Sequence, residues 1–242
     1  MNPRIAQLRT YPFSRLAARL EGALPPPDLT PINMHIGEPR HAPPDMVAPL
    51  LGQGNGLGSY PVSTGSPELR QSCAGALGRR YALDDGFVNA DTMIVPVNGT
   101  REGLFSFVQA ATGAKAKGLV VMPNPFYQIY EGAAILAGVE PYYLNTLEDN
   151  DFLPDLRAVP DDVWRRCEGL IRCSPGNPSR TFMTLDDWRL AVELAERFDF
   201  VVAADECYAD IYRDALPPPG LLDMCREDGR HNLARCAVFH SL

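Results

Sequence analysis

The stretch FVVAADECYADIY, residues 200–212, runs an apolar segment into Asp205 and Glu206 and places Tyr208 three residues past the first acid. An ionised carboxylate at the end of a nonpolar strand costs several kcal/mol unless a cation or hydrogen-bond donors meet it. Asp205 therefore reads as an acid waiting for a buried partner. Three other stretches follow apolar runs in the same way. In VNGTREGLFSFV, Asn98, Gly99, Thr100 and Arg101 lead from a predicted strand into a predicted helix. Glycine lets the backbone approach a ligand closely, and the free N–H groups of a first helical turn favour an anion such as phosphate. PNPFYQIY, 123–130, presents Tyr127, whose ring could lie flat on a ring-shaped ligand. CSPGNPSR, 173–180, holds the amide of Asn177 between Gly176 and Pro178 in a turn at a strand end. Taken singly, these stretches are compatible with a structural turn, a packed aromatic and a turn asparagine. As an ordered set they are far more specific.

The elements that must position them follow from hydrophobic periodicity. Short β-rich runs at 92–97, 118–123, 139–144, 169–174, 200–205 and 236–241 are separated mostly by helix-length segments. Ser66 and Pro67 open one helix as cap and first residue. The clearest helix spans 184–198, with Thr184 as cap and Leu185, Trp188, Ala191, Leu194, Ala195 and Phe198 along one face. This alternation predicts an α/β fold with a mostly parallel sheet covered on both sides. Ligands of such sheets sit outside the carboxyl ends of the strands, where the four stretches lie. Residues 1–45 are proline-punctuated and read as an extended arm; 46–242 hold the periodic part. The last apolar run stops where the chain stops, at Leu242, and this reads as a truncated protein.

Composition narrows the partners. A formal charge of −8 argues against nucleic acid and against an anionic membrane surface, which need clustered Lys and Arg. The six cysteines have no CxxC pair and form no metal-like cluster with the four histidines, so they are expected to be reduced packing thiols. With no signal peptide and no apolar run of about 18 residues, the expectation is a soluble cytoplasmic protein.

NGTRE, PNPFYQIY, SPGNP, DECYADIY and a terminal HSL, in that order, resemble the fold-type I, class I/II aminotransferases that use pyridoxal 5′-phosphate. The likeness runs over essentially the whole chain, from IGEPRHAPP and SYPVSTGSPELR onward. The phrases IGEPRH, PVNGTRE, PNPFYQIYEGAA and SPGNP are particularly similar to the bacterial N-succinyldiaminopimelate aminotransferases of lysine biosynthesis. The resemblance implies a three-layer, mostly parallel large domain over 46–242, incomplete at its C-terminus. It also implies an arm and part of a small domain over 1–45, and a C-terminal small domain that is absent. Asp205 would pair with the protonated ring nitrogen of the cofactor, which works as an electron sink. Asn177 and Tyr208 would hydrogen-bond the ring's phenolic oxygen, and Tyr127 would stack on the ring. Gly99, Thr100, Arg101 and the hydroxyl of Ser241 would hold the phosphate. Tyr60 would reach the phosphate of a neighbouring subunit in a homodimer, and Gly37 would lie near the substrate carboxylate. Glu206 is read as structural, and no metal is implied.

Two departures stand out. The family's Schiff-base lysine would fall on the second residue past Leu242, leaving no catalytic residue to name within the chain. Lys115 and Lys117, in the loop before the strand at 118, are the only lysines and are not positioned to replace it. The family's downstream arginines are also missing, and Arg180 stands where the family usually has glycine. The leading expectation is transamination between N-succinyl-L,L-2,6-diaminopimelate and 2-oxoglutarate, amino-acid and 2-oxo-acid substrates respectively. Arg40 is weighed as an aid to an acidic substrate against a plain solvated arginine. The alternatives are a non-catalytic fragment, another aminotransferase, or a lyase or decarboxylase of the same fold. A dinucleotide oxidoreductase is disfavoured, because no GxGxxG follows the first strand.

Overall fold

The computed structural model describes residues 1–242 apart from 31, 33, 35, 38–40, 214, 215, 232 and 242. The chain forms two compact units, one of Met1–Leu8 with Pro67–Leu242 and one of Arg9–Ser66. The smaller unit carries α1 (Pro12–Leu20) and α2 (Val47–Gly52) within proline-punctuated backbone. None of its described residues is buried.

The larger unit is built from α3 (Pro67–Tyr81), α4 (Thr100–Ala111), β1 (Leu119–Asn124), α5 (Gln128–Ala137), β2 (Glu140–Asn145), α6 (Asp161–Arg166), β3 (Cys167–Cys173), α7 (Leu185–Phe198), β4 (Val201–Asp205), α8 (Leu221–Glu227) and β5 (Cys236–Phe239). The five strands lie in the order β2-β1-β3-β4-β5, and every pairing is parallel. Successive strand side chains point to opposite faces, so each strand feeds two cores. Leu119, Val121, Leu170, Val202 and Ala204 pack with α6, α7 and α8. Val120, Met122, Ile171 and Ala203 pack with α4 and α5. This is the expected three-layer arrangement, and it brings the carboxyl ends of β1, β3, β4 and β5 to one edge of the sheet.

Local chemistry sets the helix ends. Thr184 caps α7: its hydroxyl accepts from the Asp187 N–H at 3.2 Å, and Asp187 Oδ2 accepts from the Thr184 N–H at 2.9 Å. Such a cap contributes about 1 kcal/mol. One expected element is corrected. Residues 92–97, TMIVPV, form no strand; they are irregular, and Met93, Val95 and Val97 are exposed. An apolar run becomes a strand only when a neighbour's backbone pairs with it, and no described strand lies alongside this one.

Candidate active site

β4 delivers Asp205 to the carboxyl edge, level with Cys173 of β3 and Phe239 of β5. Strand alternation turns its side chain toward the α4 and α5 face, and it is buried there. Asp205 Oδ2 accepts a hydrogen bond from the Tyr130 hydroxyl, and Oδ1 accepts from the Cys207 N–H at 3.3 Å. Among the described residues no side-chain cation forms an ion pair with it. Burial, reinforced by the Asp205 charge, holds the Tyr130 hydroxyl well above its ordinary value, so it stays a neutral donor. Burial and the same charge push the thiols of Cys173 and Cys207 up to about 12. Asp205 is thus surrounded by neutral groups.

The residues singled out in the sequence gather around this acid. Gly99 precedes α4 with φ of 129°, a conformation L side chains rarely adopt, and a Cβ there would meet Glu102 Oε2 at 3.0 Å. Thr100 and Arg101 follow in the first turn. Thr100 Oγ1 accepts from the Cys207 thiol at 3.2 Å. Arg101 Nε donates to the Tyr127 hydroxyl at 2.6 Å. The Tyr127 ring meets Tyr130 edge-on, with centroids 5.9 Å apart. Contacts therefore run without a break from Arg101 through Tyr127 and Tyr130 to Asp205, and on through Cys207 to Thr100. Asn177 Nδ2 donates to the Tyr208 hydroxyl at 3.2 Å. Partial burial raises the Tyr208 hydroxyl, while the Asn177 amide pulls the other way.

Ser241 follows β5 and is exposed, with no hydrogen bond to the gathered residues. Tyr60 and Gly37 belong to the smaller unit, where both are exposed. Arg40 lies outside the described residues. Arg180 takes the left-handed conformation, φ 62°, and the turn closes nonetheless through Arg180 N–H to Gly176 C=O and Gly176 N–H to Thr181 C=O, both 2.7 Å. Lys115 Nζ donates to the carbonyls of Cys167 and Phe198, both at 2.7 Å, at the opposite edge of the sheet. Tyr130 was missed in the sequence although its signal was present. It lies three residues past Tyr127, the spacing that puts two side chains on one side of a helical turn.

A cavity of about 180 Å³ lined by Arg172, Met183, Asp187 and Leu190 lies on the α7 face, across the sheet from Asp205. Arg172 is buried there, and burial lowers its guanidinium to about 10. None of the gathered residues lines that cavity.

The aminotransferase class I and II profile matches residues 30–241. The chain belongs to that family. Family members depend on pyridoxal phosphate. An aminotransferase structure from Neisseria meningitidis Z2491 shares 41% identity at a TM-score of 0.92, over 100% of this chain and 61% of that one. The aminotransferase AspB structure from Helicobacter pylori 26695 shares 31% at 0.88, over 97% and 60%. The LL-diaminopimelate aminotransferase of Nitratidesulfovibrio vulgaris (strain DP4) is 31% identical over 99% of this chain and 60% of its own length. That of Aquifex aeolicus (strain VF5) is 31% identical over 76% and 45%. The chain thus spans about 60% or less of the length of these relatives. The parallel sheet with helices on both faces is the large-domain architecture of this class of transferases. Among the described residues no helix is long and apolar enough to cross a membrane.

Proposed function

We propose that the chain is the cofactor-binding portion of a pyridoxal-phosphate-dependent aminotransferase. The observation that carries this reading is Asp205, a buried carboxylate at the carboxyl edge answered by one hydroxyl and one N–H but by no cation. A protonated pyridine nitrogen is the cation it lacks. The surrounding residues fit the rest of the group. Gly99, at φ 129°, leads into α4, and the phosphate is assigned to the backbone of Gly99, Thr100 and Arg101 at the first turn of that helix. Tyr127 supplies a ring face. Asn177 and Tyr208 form a donor pair for the phenolic oxygen. Ser241 is assigned to the phosphate, Tyr60 to the phosphate of a homodimer partner, and Gly37 to the substrate carboxylate.

When bound, the cofactor supplies an electron sink for the pair left on the substrate Cα. The work of this chain's residues is to hold that sink. Asp205 keeps a proton on the ring nitrogen, and the Tyr130 hydroxyl holds the Asp205 carboxylate in place while remaining protonated itself. The family resemblance assigns the proton carrier at the substrate to a lysine past Leu242, while Lys115 is engaged by two backbone carbonyls.

The amino donor is proposed to be a diaminopimelate-type amino acid, which the names of the relatives support, with 2-oxoglutarate as acceptor and a cytoplasmic setting. Its finer form, N-succinyl-L,L-diaminopimelate, rests on the phrase similarities. The test is glutamate formation from 2-oxoglutarate by the full-length protein, with N-succinylated and free L,L-diaminopimelate offered separately. Turnover of the free form alone removes the succinyl assignment. Tyrosine and tryptophan fluorescence quenched by NADH and not by pyridoxal phosphate removes the whole reading.

A further inference from the structure

The residue after Asp205 points to the other face of the sheet and enters a closed polar cluster. Glu206 is 1% exposed. Its Oε1 accepts from the Leu221 N–H at 2.8 Å, and its Oε2 meets the hydroxyl of Tyr81, the last residue of α3. That hydroxyl lies 3.3 Å from His240 Nε2, which is itself 3.7 Å from Glu206 Oε2. The cluster has no spare room. A Cβ on Gly220 would come within 2.5 Å of Glu206 Oε2 and 2.7 Å of Tyr81 Cε1. Two of its members adjoin the residues assigned to the cofactor, since Glu206 follows Asp205 and His240 precedes Ser241. The Glu206 N–H also donates to the Phe239 carbonyl at 2.9 Å, tying the two segments.

We propose that Tyr81, Glu206 and His240 are positioning residues, a shared-proton clasp that fixes the spacing between the strand ends carrying Asp205 and Ser241. The inference rests on the cofactor reading of those two residues. The hydrogen bonds of the clasp balance in two forms. With a proton on Glu206, Oε2–H donates to the Tyr81 oxygen and the Tyr81 hydroxyl donates to His240 Nε2. With Glu206 ionised, the hydroxyl turns round to donate to Oε2, and Nε2 can keep its contact only as a donor.

Burial pushes Glu206 up to about 7, against the lowering effect of its hydrogen bonds from Tyr81 and Leu221 and of the Arg80 charge; Asp223 adds a small upward push. Burial and the Glu206 charge keep Tyr81 protonated, and burial lowers His240 against Asp210 and Asp205, with Arg80 lowering it further. Folded Glu206 thus keeps its proton to about pH 7, whereas the unfolded chain releases it near 4.5. The folded state binds more protons in that window, so this group's stabilising contribution is lost as pH rises from about 4.5 to 7. The depressed His240 acts oppositely, its penalty appearing as pH falls below its ordinary value of 6.5.

The test has two arms. In the cofactor-free protein, infrared difference spectra taken from about pH 5 to about 9 should show a protonated-carboxyl stretch lost with a midpoint near 7, absent in Glu206→Gln, and shifted upward by about one unit in Tyr81→Phe. A wild type without that band, or with all carboxyls titrating near 4.5, overturns the clasp. In the second arm, pyridoxal phosphate affinity is read by fluorescence quenching at about pH 6 and 8. Ionised Glu206 adds a buried negative charge near a phosphate-binding strand end. Wild-type affinity should therefore fall about tenfold more than that of Glu206→Gln, whose amide mimics the protonated form. Equal pH slopes with binding intact overturn the positioning role alone. Absence of binding by the wild type at both pH values overturns the cofactor reading, and the positioning role with it.

Discussion

Glu168 and Asp205 are both buried acids on neighbouring strands, one at the amino edge of the sheet and the other at the carboxyl edge. At the amino edge the chain closes on itself. Glu168 Oε2 accepts from the N–H groups of Gly113, Ala114 and Lys115 at 2.9, 2.7 and 3.2 Å, while the Lys115 ammonium caps two carbonyls. Glu168 Oε1 is buried without a partner and pressed so close to Gly118 that a Cβ there would sit 1.7 Å away. No ligand could enter. At the carboxyl edge the donors to Asp205 are fewer, and Asn177, Tyr127 and Tyr208 are partly open beside it. Glu168 is held by fixed backbone donors, whereas under the cofactor reading Asp205 keeps a charge for a guest to match.

That contrast can be broken most sharply at Asp205. In the full-length enzyme Asp205→Ala should lower transamination by several orders of magnitude without lowering the melting temperature, because the ring nitrogen loses its counter-charge. Steady-state kinetics beside thermal melts decide it. Glu168→Ala should do the opposite, costing about 3 kcal/mol in urea unfolding while pyridoxal phosphate affinity stays unchanged, since three buried N–H groups lose their acceptor. A smaller effect tests the open edge again. Tyr130→Phe removes one donor from Asp205 and should weaken pyridoxal phosphate binding about tenfold, read by equilibrium titration. The smallest change is expected at Arg180→Gly, which relieves a left-handed residue and should add about 1 kcal/mol or less to stability, with binding unaltered.

Much of this arrangement was legible in the sequence because it is local. Short β-rich apolar runs marked β1 to β5, and Thr184 with its apolar stripe marked α7. The order of NGTRE, PNPFYQIY, SPGNP and DECYADIY marked the carboxyl edge. What escaped depends on partners far along the chain. Nothing near residues 92–97 reveals whether a neighbour will pair with them. Tyr130 was passed over despite its spacing from Tyr127, and it is the fold that brings its hydroxyl to Asp205, 75 residues away. The partner of Glu206 escaped as well, since Tyr81, 125 residues earlier, has no local signal pointing to it.

The alternation at the tip of β4 has one more consequence. Because adjacent side chains leave the sheet in opposite directions, a single-residue deletion upstream within this strand would exchange the two acids between its sides. The glutamate, with its longer side chain, would then arrive among Tyr130 and Tyr127, and the aspartate would fall short of Tyr81. Homologous chains should therefore tolerate length changes in the loop before β4 far more readily than inside its five residues.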